Sequence, residues 1–123
     1  MPKLTNYRIF NELIMYLDEI VEYALSLPEA EETMPFGPNH LVMKVKNKMF
    51  LLLDLESMPI QFNVKCQPEK AIELREEFPE SVFPGWHMNK KHWNTVFVNS
   101  QLSQQLIKEF ISNSYELVKA GKK

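Results

Sequence analysis

With 123 residues, 45% of them hydrophobic, the chain is long enough to bury a core without a staple, and its single cysteine, Cys66, excludes an internal disulfide. No run is apolar enough to span a bilayer and no basic-then-apolar leader opens the sequence, so a cytoplasmic location is expected and no membrane partner. A net charge of −2 and a pI near 5.9 argue against a uniformly basic nucleic-acid-binding domain.

Thr5 or Asn6 is suited to cap a first helix, in which Phe10, Leu13, Ile14, Leu17, Ile20, Val21, Ala24 and Leu25 recur at helical spacing until Pro28 stops it. An acidic loop with Glu29, Glu31 and Glu32 follows and runs into Pro35-Phe36-Gly37-Pro38. From His40 the period changes to two. Leu41, Met43 and Val45 alternate with Val42 and Lys44, then Met49, Leu51 and Leu53 alternate with Phe50, Leu52 and Asp54. A two-residue tip would put Asp54 on the face of Leu41 and Met43. A three-residue tip, Lys46-Asn47-Lys48, keeps odd positions opposite odd ones, so it is the expected turn, with Phe50 and Leu52 on the opposite face.

A third strand sets Ile60, Phe62, Val64 and Cys66 against Gln61, Asn63 and Lys65. A second helix from about Pro68 to Phe78 turns Ala71, Ile72, Leu74 and Phe78 inward. Two strands follow, around Val82–Met88 and Trp93–Val98, joined through Asn89-Lys90-Lys91-His92. Ser100 or Ser103 caps a last helix carrying Leu106, Ile107, Phe110, Ile111, Tyr115, Leu117 and Val118, and Gly121-Lys122-Lys123 is expected to fray. The order helix, three strands, helix, two strands, helix, with no repeat or linker, predicts one α+β domain over residues 1–123. Its sheet is expected to be mostly antiparallel, with the helices packed mainly on one face.

Charge is segregated by element. Carboxylates crowd the helices, at Glu12, Asp18, Glu19 and Glu22 and again at Glu69, Glu73, Glu76, Glu77 and Glu80. Neither the stretch from Thr33 to Leu53 nor that from Ser81 to Lys108 holds an acidic residue, and these stretches contain Lys44, Lys46, Lys48, Lys90, Lys91 and all three histidines.

Chemistry-bearing residues are few. Cys66 shares a strand face with Ile60, Phe62 and Val64, where a thiol behaves as a small hydrophobe rather than a nucleophile. His87 and His92 lack the third and fourth ligands a zinc site draws on. Glu29, Glu31 and Glu32 read as a solvated loop within reach of Lys90 or Lys91. With no phosphate loop, nucleophile elbow or metal-binding helix motif, neither an enzyme nor a cofactor is expected. The densest segment runs from Pro84 to Val96 as Pro-Gly-Trp-His-Met-Asn-Lys-Lys-His-Trp-Asn-Thr-Val. Its lysines and histidines suit phosphate, its asparagines a base edge, and Trp86 and Trp93 are either core rings or stacking surfaces.

That segment, with Leu27-Pro28, Pro35-Phe36-Gly37, Lys48-Met49-Phe50, Lys65-Cys66 and Ser114-Tyr115-Glu116-Leu117-Val118, resembles the MmcQ/YjbR family nearly end to end. The resemblance implies the same element order, close to secretion-chaperone-like and frataxin-like domains with one sheet face open. It also implies a predicted DNA-binding role, because paired hairpins resemble a double wing. The expected contacts are Lys44, Lys46, Asn47, Lys48 and Lys65, then His87, Asn89, Lys90, Lys91, His92 and Trp93. A rival reading is a protein- or peptide-binding adaptor, or a homodimer, using Phe50 and Leu52 on the sheet. A third is a small-molecule binder or enzyme with His87, Asn89 and His92 between the two tryptophans.

Overall fold

Alternation from His40 onward does produce strands, and the turn between them decides which side chains enter the core. A computed structural model describes residues 17–98 and 101–121. The strands are β1 (Glu31–Thr33), β2 (His40–Val45), β3 (Lys48–Asp54), β4 (Gln61–Lys65), β5 (Val82–Pro84) and β6 (Trp93–Phe97). They form one sheet in the order β1-β2-β3-β4-β6-β5, antiparallel at every step. The helices are α1, described over residues 17–26, α2 (Pro68–Glu77) and α3 (Gln104–Lys119). The expected α+β order holds, with one strand added. Thr5, Asn6, Phe10, Leu13, Ile14, Ser100, Lys122 and Lys123 lie outside the described residues. None of the described helices is long and apolar enough to cross a membrane.

The added strand is the expected acidic loop. Glu31, Glu32 and Thr33 pair with Lys44, Met43 and Val42. Glutamate is a poor strand residue, but this strand lies at the sheet edge, where both glutamate side chains stay exposed while the backbone ladder is satisfied.

The tip of the β2–β3 hairpin has two residues, not three. Val45 pairs with Lys48, and Lys46 and Asn47 take φ of 51° and 65°. Two left-handed residues give a turn whose twist matches that of the strands. Pairing then slips by one: Lys44 faces Met49, whereas Met43 faces Leu51 and Leu41 faces Leu53. Phe50 is therefore the extra residue of a β-bulge, which puts two successive side chains on one side of the strand. The odd-to-odd pairing expected farther along the hairpin is restored by the bulge rather than by a longer tip. Met49 leaves the core face, and Phe50, expected to point away, is fully buried with its ring edge-on to Tyr115 at 5.4 Å. The bulge also diverts backbone groups that α3 satisfies. Ser114 Oγ donates to the Phe50 carbonyl at 2.6 Å and accepts from the Lys65 N–H at 2.8 Å.

One face of the sheet carries the core. Leu41, Met43, Val45, Leu51, Leu53, Ile60, Phe62, Val64, Val82 and Val96 meet Ile20 and Ala24 of α1 and Ile107, Phe110, Ile111, Tyr115 and Val118 of α3. Ser103 caps α3 by accepting from the Leu106 N–H at 3.1 Å. In α2 the inward stripe is Ala71 and Leu74, with Phe78 half buried just beyond the helix. Ile72, expected inward, is 53% exposed, because it sits about 100° around the helix from Ala71. The strand expected over Val82–Met88 ends at Pro84, where the chain turns away.

Candidate functional site

The antiparallel order brings the two hairpin tips to the same end of the sheet. Val45 and Lys48 close β2–β3, Lys65 ends β4 opposite Trp93, and Pro84 opposite Asn94 opens the β5–β6 loop. Lys46, Asn47 and Lys48 thus lie beside the loop of residues 85–92, with the end of β4 between them. Three strand spacings separate the tips, about 14 Å.

The longer tip is built from side-chain and backbone clamps. The Gly85 N–H donates to the Trp93 carbonyl at 2.9 Å, and a Cβ on Gly85 would stand 2.9 Å from the Trp93 Cβ and 3.0 Å from that carbonyl oxygen, so no side chain fits there. Asn89 caps the turn: its carbonyl accepts from the Trp93 N–H at 2.9 Å and its Oδ1 from the Lys91 N–H at 2.9 Å. Lys90 folds its ammonium back onto the Gly85 carbonyl at 3.0 Å. His87 holds a φ of 60°. The His92 carbonyl accepts from the Cys66 N–H at 2.7 Å, which ties the loop to β4.

Arg75, the one arginine of α2, pins this loop from the helical side. Its Nε donates to Asn94 Oδ1 at 2.8 Å and its Nη2 to the Lys90 carbonyl and, at 3.4 Å, to the Trp93 carbonyl. Sequence reading passed over Arg75. The only available signal was a single arginine in a run of carboxylates, which the surface of an ordinary amphipathic helix shows as often.

Trp86 settles over the sheet face opposite the helices. Its backbone N–H donates to Thr95 Oγ1 at 2.8 Å, and the Thr95 hydroxyl donates to Asn63 Oδ1 at 2.5 Å. The indole stands 5.3 Å from the Phe97 ring and 6.3 Å from Phe83, and Phe83 and Phe97 meet edge-on at 5.6 Å. Trp86 remains 46% exposed, whereas Trp93 is half buried.

A sequence model of the family described as YjbR matches residues 25–117. The chain belongs to the YjbR family. It is similar to the uncharacterized protein YbdF of Escherichia coli O157:H7, 39% identical over 80% of each chain. It also matches the uncharacterized protein YjbR of Escherichia coli K12, 29% identical over 83% of this chain and 86% of that one. Among solved structures, Deinococcus radiodurans protein DR2400, with a DUF419 family-model domain, superposes with a TM-score of 0.80 at 36% identity, covering 87% of this chain and 81% of that one.

Of the residues expected to form the YjbR site, Lys46, Asn47, Lys48 and Lys65 share the tip end with His87, Asn89, Lys90, Lys91, His92 and Trp93. Lys44 stands apart, opposite Glu31 on the edge strand, where the two charges offset each other. Glu31 and Glu32 do not reach Lys90 or Lys91. They lie four or more strand spacings away, about 20 Å. The apolar patch expected from Phe50 and Leu52 is not formed as a pair, because the bulge takes Phe50 to the other face.

On the helical side of the same end a groove of about 470 Å³ is lined by Cys66, Gln67, Lys70, Asn113, Glu116 and Leu117. Among the described residues no group of three His, Cys, Asp or Glu side chains is placed to hold a metal ion. Burial pushes the Cys66 thiol up, outweighing the opposite pull of Lys70 and Arg75. A raised thiol holds less thiolate at a given pH, so Cys66 is expected to alkylate with iodoacetamide several-fold more slowly than free cysteine at mildly alkaline pH. Its rate should keep climbing with pH after that of an ordinary thiol has levelled off. A rate equal to or above that of free cysteine would contradict this.

Proposed function

We propose that this YjbR-family chain binds nucleic acid through the end of the sheet shared by its two hairpin tips. One observation carries the reading: Lys46 and Lys48 on one tip and Lys90 and Lys91 on the other lie side by side, about 14 Å apart. Phosphate contacts by such cations dominate affinity for nucleic acid. The overall negative charge does not oppose this. Screening in physiological salt acts over about 8 Å, so Glu31, opposite Lys44 and about 20 Å from the longer tip, has little effect on Lys90 and Lys91. Glu73 is paired with Lys70 at 3.7 Å on α2, on the other side of the sheet.

The test is anisotropy of labelled duplex and single-stranded oligonucleotides at about 50 and 200 mM salt, the range over which such contacts weaken steeply. A Lys46→Ala/Lys48→Ala/Lys91→Ala variant is expected to bind more weakly. Its salt dependence should flatten by about 0.7–0.9 in logarithmic slope for each phosphate contact removed. Lys90 is left in place because its ammonium holds the loop. Equal binding by variant and native protein, or binding by neither, refutes the proposal.

A further inference from the structure

On the sheet face opposite the helices stands a tryptophan ring that packs on two phenylalanines and is left half open. We infer that this face takes an unpaired base of single-stranded nucleic acid on the indole of Trp86. The inference rests on the nucleic-acid reading above and specifies the class of ligand.

The ring is preorganised. The backbone N–H of Trp86 is tied to the Thr95 hydroxyl and that hydroxyl in turn to Asn63, both side chains buried, which fixes the main chain from which the ring projects. Phe97 and Phe83 support the indole at 5.3 and 6.3 Å, yet 46% of the residue faces solvent. A rigid aromatic plane with an open side is what base stacking requires, and little ordering entropy is lost when the base arrives.

Charge favours a polyanion over a peptide of mixed charge. The outward residues of β4 and β6 are Gln61, Asn63, Lys65, Trp93, Thr95 and Phe97, none of them a carboxylate, while the carboxylates of this face, Asp54 opposite Gln61 and Glu31 on the edge strand, lie away from the longer tip. Lys91 is exposed on the same loop as Trp86, five positions on, where it is placed to meet a backbone phosphate next to a stacked base.

Geometry selects the single strand. In a duplex both faces of every internal base are already stacked, and the base edges lie at the floor of grooves that the face of a six-stranded sheet is too broad to enter. A duplex could reach the lysines at the tips, but it could not present a base plane to Trp86. A single strand running from the tip end across β6 does both.

The test compares native protein, Trp86→Ala and Trp86→Phe, using labelled oligo(dT), a duplex of equal length and an all-abasic strand. Circular dichroism and thermal unfolding confirm that the variants fold. Trp86→Ala is expected to weaken oligo(dT) binding about 5- to 100-fold, the range one lost base–aromatic stack gives. It should leave the duplex and the abasic strand unchanged, and Trp86→Phe should recover much of the loss. Oligo(dT) binding untouched by Trp86→Ala, or duplex and single strand weakened alike, overturns the inference and leaves the lysine-tip reading standing. A native dimer that Trp86→Ala dissolves assigns the face to a second copy of the chain and also overturns it. No binding to any of the three probes overturns both.

Discussion

Replacing Phe50 with alanine is expected to lower the unfolding free energy by about 3–5 kcal/mol, while Leu52→Ala, two residues along the same strand, costs about 1–2 kcal/mol. In an unbroken strand the two side chains would share a face and a fate. The bulge separates them. Phe50 joins Leu51 against α3 and loses both its burial and its edge-on contact with Tyr115 when truncated, whereas Leu52 stays half buried on the opposite face between Val42 and Asn63. The cavity left by Phe50 would open beside the Ser114 bridge to β3 and β4, a rigid spot with little scope for collapse. Urea unfolding of the two variants measures both costs directly. Equal losses would mean that the hairpin pairs without a bulge.

Arg75→Ala is expected to cost about 2–4 kcal/mol and, on the proposed function, to weaken nucleic-acid binding several-fold, although Arg75 lies on the helical side. Hydrogen bonds from a charged donor are worth about 1.5–3 kcal/mol each, and removing the donor also leaves a buried acceptor unsatisfied. That acceptor is Asn94 Oδ1, in the interior between α2 and β6. The carbonyls of Lys90 and Trp93 lose the same partner, so the loop of residues 85–92 loosens. Its lysines then pay an ordering cost on binding that the native protein has already met. Amide exchange should speed up at Trp93, whose N–H closes the turn onto Asn89. Arg75→Lys should recover only part of the stability, because an ammonium cannot reproduce two donors held in a planar fork. Unchanged unfolding and unchanged exchange in Arg75→Ala would show that the loop stands without the clamp.

The lysine tips, the aromatic face and Arg75 differ in how legible they were. Lys46, Lys48, Lys90 and Lys91 could be read as a group because acidic residues are missing around them, and strand order then needed only an antiparallel sheet to bring the tips together. Trp86 was ambiguous. A tryptophan in a strand–loop–strand looks the same whether its ring enters the core or lies on the far face, and the outcome depended on Pro84 ending β5 early. Arg75 could not be read at all, since its partners lie fifteen to nineteen positions along the chain.

Periods of two and 3.6 in apolar residues are local properties. On their own they placed five of the six strands and the three helices, with the inward set Leu41, Met43, Leu51, Leu53, Phe62 and Val64, while the family was legible in the motif from Pro84 to Val96. Turn length, the bulge at Phe50, the edge strand at Glu31–Thr33 and the clamp on the second tip depended on the assembled fold. Those features arise where backbone groups and side chains distant in the chain, such as Ser114 and Phe50, must satisfy one another's hydrogen bonds. No window of neighbouring residues contains both halves of such a bond.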